Sequence, residues 1–202
     1  MIEQLIYYPA LPTIPVGLLE TANAYSPNQV LARQFDRCCS KDGVAVSNAW
    51  YERYPVNKEI HDWINKNIAS DYTDIGISLN GAPGSASTVL LPHTDKTRNW
   101  TLIWLLDEGG AEVDTVYWQE ENQPVIRGSE LPAPASYDNL VEIGRARLKR
   151  EKWILLNSHV IHSLEGITAG PRKALQIGFW DSAESIKHFK AISMNQTNSA
   201  KH

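Results

Sequence analysis

From Tyr72 to Asp181 the chain is a succession of short β-branched and aromatic runs: YTDIGISLNG, STVLLPHTD, NWTLIWLLD, DTVYWQE, LVEIGRARL, KWILLNSHVIHSL and RKALQIGFWD. Gly, Pro, Asn and Asp separate them. Runs of this length are strands, because branched and aromatic side chains fill a pleated surface and the intervening residues suit turns. No single short strand can bury its own apolar face. Seven or eight of them in sequence must close on one another, as a sandwich, barrel or jelly roll. With 202 residues the chain is long enough for one domain with a substantial core.

The first seventy residues have a different texture. NKEIHDWINKNIAS, from Asn57 to Ser70, sets Ile60, Trp63, Ile64 and Ile68 on one helical face, with Asn57 as N-cap. His61 lies on this helix and reads as a surface or half-buried residue. NQVLARQFDRCCSKDG, from Asn28 to Gly43, has Val30, Leu31 and Phe35 near helical spacing, and Gly43 reads as its stop. The expected organisation is therefore one domain over residues 1–202. Residues 1–70 would form a helical support, and residues 71–190 a β core. Gln119 to Arg145, with Pro124, Pro132 and Pro134, breaks the strand rhythm and reads as a lid or a surface excursion. The tail MNQTNSAKH is polar and expected to fray.

Composition excludes several classes. Net charge is −4, against the basic footprint of a dedicated nucleic-acid binder. GRARLKREK, with Arg145, Arg147, Lys149, Arg150 and Lys152, is a local basic block. It would meet an acidic partner or simply solvate a strand face, with Ala146 and Leu148 pointing inward. No apolar run approaches the ~20 residues that span a bilayer, so no membrane association is expected. The opening MIEQLIYYPALPTIP lacks the basic start and apolar middle of a signal peptide. Cys38 and Cys39 are adjacent, a poor geometry for a disulfide, and read as one buried thiol on a helix in a reducing cytoplasm.

Within LPHTDKTRNWTLIWLL, His93 and Asp95 are two residues apart. On a strand, residues at that spacing point to the same side and would converge on one point. An imidazole and a carboxylate are two members of a 2-His-1-carboxylate facial triad, the set that holds non-haem Fe(II) and leaves positions open for other ligands. The third ligand must come from a distant strand, and His159 and His162 are both candidates. They are three residues apart and would face opposite sides of a strand. Arg172 follows His162 by ten residues, across a Gly-Pro turn. A buried Arg beside a metal can take a carboxylate through two parallel hydrogen bonds.

His-x-Asp, a distal His and an Arg ten residues later resemble the Fe(II)/2-oxoglutarate-dependent dioxygenases. RNWTLIWLLDEGGAEVDTVYW is similar to the strand, Gly-Gly turn and strand that follow the first motif in the prolyl-hydroxylase-like branch. KWILLNSHVIHSLEGI is similar to that family's approach to its distal His. The resemblance covers about Ser78 to Trp180. It implies a mainly β protein with N-terminal helices, built on a double-stranded β-helix, a form of jelly roll. It implies Fe(II) held by His93, Asp95 and His162. It implies 2-oxoglutarate as cosubstrate, its distal carboxylate on Arg172, with O₂ as oxidant. The family often carries Ser or Thr two residues after that Arg, where this chain has Ala174. Another hydroxyl or amide must then help the cosubstrate, and Thr101 and Tyr117 are the candidates from neighbouring strands.

The reaction implied is oxidation, most simply hydroxylation, of a small molecule or a side chain. Retention of Asp95 speaks against the halogenating variant, which frees that position for a halide. Two rival readings use the same scaffold: a non-catalytic jelly-roll binding or structural protein, and a cupin-type metalloenzyme that does not use 2-oxoglutarate. Cupins favour His-x-His, which the chain lacks. His159 reads as a polar strand residue, a contact to a ligand histidine or a substrate contact, and Asn157 as a residue orienting the turn before His162. Trp100, Trp104, Trp118, Trp153 and Trp180 read mostly as core. Nothing in the sequence fixes the substrate or the oligomeric state.

Overall fold

The structure, a computed structural model, describes residues 5–22, 32–34, 38–41, 44–47, 50–81, 88–95, 97–121, 137–168 and 170–180. Most of these residues belong to antiparallel sheets. The chain enters the large sheet with β1 (Ile6–Tyr7) and continues into helix α1 (Val16–Ala22). It then forms β2 (Ala32–Gln34), β3 (Cys38–Lys41), β4 (Val44–Ser47) and β5 (Trp50–Tyr54), followed by helix α2 (Lys58–Asn67). Eight longer strands follow: β6 (Asp74–Gly81), β7 (Thr88–His93), β8 (Trp100–Asp107), β9 (Asp114–Glu120), β10 (Leu140–Ala146), β11 (Trp153–Asn157), β12 (His162–Ile167) and β13 (Arg172–Phe179).

A seven-stranded sheet has the order β1-β11-β8-β13-β6-β5-β2, and a four-stranded sheet the order β10-β9-β12-β7. From β6 onward the chain passes back and forth between the two. β6, β8, β11 and β13 lie in the large sheet, and β7, β9, β10 and β12 in the small one. Apart from β9 and β10, which pair within the small sheet, strands adjacent in sequence over this stretch thus lie in different sheets. His162 begins β12 in one sheet, and Arg172 begins β13 in the other.

The core sits on both faces of the large sheet. Leu102, Trp104 and Leu106 of β8 and Leu175, Ile177 and Phe179 of β13 join Ile60, Ile64 and Ile68 in one buried cluster. Ile103, Leu105 and Ala174, at alternating positions, join Tyr117 of β9 and Ile154 and Leu156 of β11 in a second cluster. Burial on both faces explains why WTLIWLL shows no polar alternation. Helix α2 covers the outer face. Its first turn is capped by the Asn57 side chain, which accepts from the Ile60 N–H at 2.9 Å. Such a cap is worth ~1 kcal/mol.

The sequence reading needs correction at the N-terminal end. The helix expected over Asn28–Gly43 is not formed. Ala32–Gln34 is a strand paired with β5, and Cys38–Lys41 pairs with Val44–Ser47. Both cysteines therefore belong to a strand. Lys41 is the partner of Val44, so Asp42 and Gly43 alone connect these strands. Asp-Gly between two strands is a strong sequence signal for a two-residue hairpin, and it competes with the reading of Gly43 as a helix stop; Asp42 and Gly43 themselves lie outside the described residues. Residues 1–70 are accordingly a mixture of two helices and five short strands among the described residues.

The expected excursion over Gln119–Arg145 is shorter than predicted. Strand β9 runs to Glu120, and β10 begins at Leu140, its register partner. The Glu121 N–H donates to the Asn139 carbonyl at 3.0 Å, so the chain leaves and returns at one point of the small sheet. Residues 122–136 and the tail MNQTNSAKH lie outside the described residues. In the basic block, Arg145 pairs with Asp114, Glu142 and Glu165, and Arg147 with Asp114 and Glu112. Leu148 is buried. These two arginines are committed to intramolecular acids. No helix among the described residues is long and apolar enough to cross a membrane.

Candidate metal centre

His93 ends β7 and His162 begins β12, and the two are register partners on neighbouring strands of the small sheet. Their ring centroids are 4.5 Å apart. Asp95 lies beyond the end of β7, so strand alternation alone does not bring it to His93. Its backbone N–H donates to the Ser158 carbonyl at 3.0 Å, which turns the chain back toward the histidines. One nitrogen of each histidine and one oxygen of Asp95 lie within 4.8 Å of one another.

Each of the three side chains has its other polar atom already engaged. His93 Nδ1–H donates to the Leu91 carbonyl at 2.7 Å, and His162 Nδ1–H to the Val160 carbonyl at 2.9 Å. A carbonyl only accepts, so each Nδ1 carries the proton and each Nε2 offers a lone pair. Asp95 Oδ2 accepts from Arg98 Nε at 2.7 Å and from Thr101 Oγ1 at 3.4 Å. Its Oδ1 faces His93 Nε2 at 3.8 Å. Two imidazole nitrogens and one carboxylate oxygen thus converge from one side, the donor set that suits Fe(II) with open positions.

The electrostatics favour the ligating forms. Burial alone would raise the Asp95 carboxyl, but the charge and hydrogen bond of Arg98, with the neighbouring histidines, hold it well below the usual carboxylate range. Burial and the adjacent His93 push His162 down to about 4, so its ring is neutral at neutral pH.

The sequence motif includes Asp95 but does not reveal Arg98, or Asp74 beyond it. Arg98 is buried and bridges Asp95 to Asp74, 3.2 Å away on β6, and Asp74 in turn pairs with Arg53 at 2.8 Å. A cation three residues past an acid in HTDKTR was a local hint for Arg98. Asp74 and Arg53 are remote in sequence and meet only through sheet pairing. Arg98→Ala would leave two acids without their shared cation. It is expected to cost ~3 kcal/mol or more in denaturant unfolding and to weaken Fe(II) binding by ~10–100-fold in a metal titration.

Gly178 makes room for this pairing. A Cβ there would lie 2.3 Å from Asp74 Oδ1, 2.7 Å from Arg98 Cδ and 2.7 Å from Thr73 Oγ1. Gly178→Ala is therefore expected to lower stability by ~1–3 kcal/mol, read from a urea midpoint. Fe(II) affinity should fall with it.

The other predicted residues have distinct places. His159 is outside the triad: Nδ1 is bonded to Asn99 Oδ1 at 2.6 Å, and its backbone N–H donates to Asn157 Oδ1 at 3.1 Å. Thr101 Oγ1 is 2.5 Å from Ser158 Oγ as well as being bonded to Asp95, so it braces the ligand carboxylate. The ring of Tyr117 lies 6.1 Å from that of His162, but its hydroxyl donates to the Leu5 carbonyl at 3.1 Å. Trp100, Trp104, Trp118 and Trp153 are buried, and Trp180 is exposed.

Arg172 is 4% exposed. Its Nη1 reaches Thr115 Oγ1 at 3.4 Å. Among the described residues it forms no ion pair. Burial pushes the pKa of its guanidinium down to about 10, with the nearby Glu108 and Tyr117 opposing. Thr115 and Tyr117 share one face of β9, and Tyr117 is the register partner of His162. Two residues along a strand span about 6.8 Å. A buried cation with no ion pair among the described residues therefore stands about one pleat repeat from the triad.

No protein-family model matches the chain, and no curated protein does. One solved structure that matches is a crystal structure of an oxidoreductase of the 2OG-Fe(II) oxygenase family from Burkholderia pseudomallei. The two are 10% identical, over 84% of this chain and 82% of that one, with a TM-score of 0.47.

Proposed function

We propose that the chain is an Fe(II)- and 2-oxoglutarate-dependent oxygenase of the prolyl-hydroxylase-like branch, built on a double-stranded β-helix. The observation that carries this reading is the triad itself: Nε2 of His93, Nε2 of His162 and Oδ1 of Asp95 converge while their companion atoms are engaged. Arg172, buried and without an ion pair among the described residues, supplies the second half. A cation removed from water without a counter-charge is costly, and an anion placed beside it relieves that cost. A 2-oxo dicarboxylic acid fits both features at once, one end on the metal and the distal carboxylate on Arg172. The alternation of strands between two sheets and the positive φ of Gly109 (78°) and Gly110 (140°) between β8 and β9 support the scaffold and branch.

In this reading His93, Asp95 and His162 would hold the iron, three protein ligands being the set that leaves positions for other ligands. Arg98 keeps Asp95 ionised and, by engaging Oδ2, leaves Oδ1 free to ligate. Arg172 orients the cosubstrate through paired, charge-assisted hydrogen bonds. The apolar interior of Ile103, Leu105, Ile154 and Leu156 keeps bulk water away. Bound iron and 2-oxoglutarate would supply oxidation of a C–H bond by O₂, with 2-oxoglutarate leaving as succinate and CO₂. The substrate is a small molecule or a side chain, and the adjacent cysteines suit a reducing cytoplasm.

Supplied with Fe(II), 2-oxoglutarate, O₂ and ascorbate as the reductant that replaces the substrate, the protein is expected to form succinate slowly. Asp95→Ala should stop that turnover. Succinate formation that persists without iron, or none at all from iron-loaded protein, would count against the reading.

A further inference from the structure

Asn80 is the register partner of Arg172, and its amide oxygen, Oδ1, is buried and unsatisfied among the described residues. The residue is 4% exposed. A buried amide oxygen left unsatisfied costs ~1–3 kcal/mol and asks for a reason. Asn80 and Arg172 are register partners on β6 and β13, so their side chains leave the sheet on the same side as neighbours. That side is the interior. Ile77 and Leu79 of β6 belong to the cluster under α2 on the outer face, which puts Ser78 and Asn80 on the inner one. Ala174 is next along β13 on the same face as Arg172, in the second core cluster, and brings no polar group.

Resting on the function proposed above, we infer that Asn80 is a binding residue for the distal carboxylate of the 2-oxo acid. Its amide would supply the hydrogen bond that Ala174 cannot. An Asn amide turned about its last torsion presents Nδ2–H at the position of Oδ1, so the same side chain becomes a donor. The carboxylate would then be held by the Arg172 guanidinium and the Asn80 amide from adjacent strands. The preference is for a 2-oxo acid with a second carboxylate over one without it.

The test titrates Fe(II)-loaded protein anaerobically with 2-oxoglutarate and with pyruvate, reading the visible charge-transfer band of the chelated 2-oxo acid. Asn80→Ala is expected to weaken 2-oxoglutarate by roughly tenfold or more, since a hydrogen bond to a charged group is lost. Fe(II) affinity and the weak binding of pyruvate should not change. Asn80→Ala combined with Ala174→Ser should recover much of the loss. Asn80→Asp, close to isosteric, should lose more than Asn80→Ala, because it sets a carboxylate against the ligand's own. Unchanged 2-oxoglutarate affinity in both Asn80 variants, or an equal loss for 2-oxoglutarate and pyruvate, would overturn the assignment. No band with either acid in the unaltered protein would overturn both the assignment and the function on which it rests.

Discussion

Fe(II) binding is expected to disappear when His162 is replaced by Ala and to survive the replacement of His159. The two histidines are three residues apart, yet they face different partners. His162 Nδ1 donates to the Val160 carbonyl, which fixes Nε2 toward His93 and Asp95. His159 is bonded to Asn99 and closes the turn between β11 and β12. Removing a ligand from a three-residue set exceeds the ~10–100-fold loss caused by disturbing an outer contact. His162→Ala should therefore show no saturable Fe(II) uptake at concentrations that fill the unaltered protein. His159→Ala should stay within that smaller range. The reverse pattern would place the metal at the other end of the turn.

Arg172→Ala is expected to abolish useful 2-oxoglutarate binding while leaving Fe(II) in place. Two charge-assisted hydrogen bonds at ~1.5–3 kcal/mol each are at stake, on the order of a hundredfold or more in affinity. The contrast with Arg98 is informative. Arg98 neutralises Asp95 and Asp74, so its loss should destabilise the ligand-free protein. Arg172 forms no ion pair among the described residues, so its removal should cost the ligand-free protein less than the loss of Arg98. Calorimetric titration and denaturant unfolding of the two variants separate these roles. An Arg172→Ala protein that binds 2-oxoglutarate normally would remove the residue from the site.

The parts of the fold visible in the sequence are those set by local pattern. Helix α2 shows its period in Ile60, Ile64 and Ile68 and its cap in Asn57. The strands from β6 to β13 show themselves as short branched runs between turns. The region before them misleads, because Val30, Leu31 and Phe35 imitate a helical face. Strands of three or four residues carry too few side chains to display alternation. At the site, His93, Asp95, His162 and Arg172 are legible because the proposed metal and carboxylate would demand particular residue types. Their supports are not. Arg98, Asp74, Ser158 and Asn80 are common residues whose meaning comes from sheet register and from a turn that leaves β7 before Asp95. Thr101 and Tyr117 were placed near the cosubstrate by strand neighbourhood alone. Their hydroxyls are engaged with Asp95 and Ser158 in one case and with Leu5 in the other.

The central claim is that one site binds iron and a 2-oxo acid together, and anaerobic spectroscopy addresses it most directly. Fe(II) is added to the full chain, then 2-oxoglutarate, and the visible charge-transfer band of the chelated acid is followed. A saturable band in the unaltered protein, absent in folded His93→Ala, is the predicted result. Iron uptake without a band, or a band of equal strength in His93→Ala, would contradict the account.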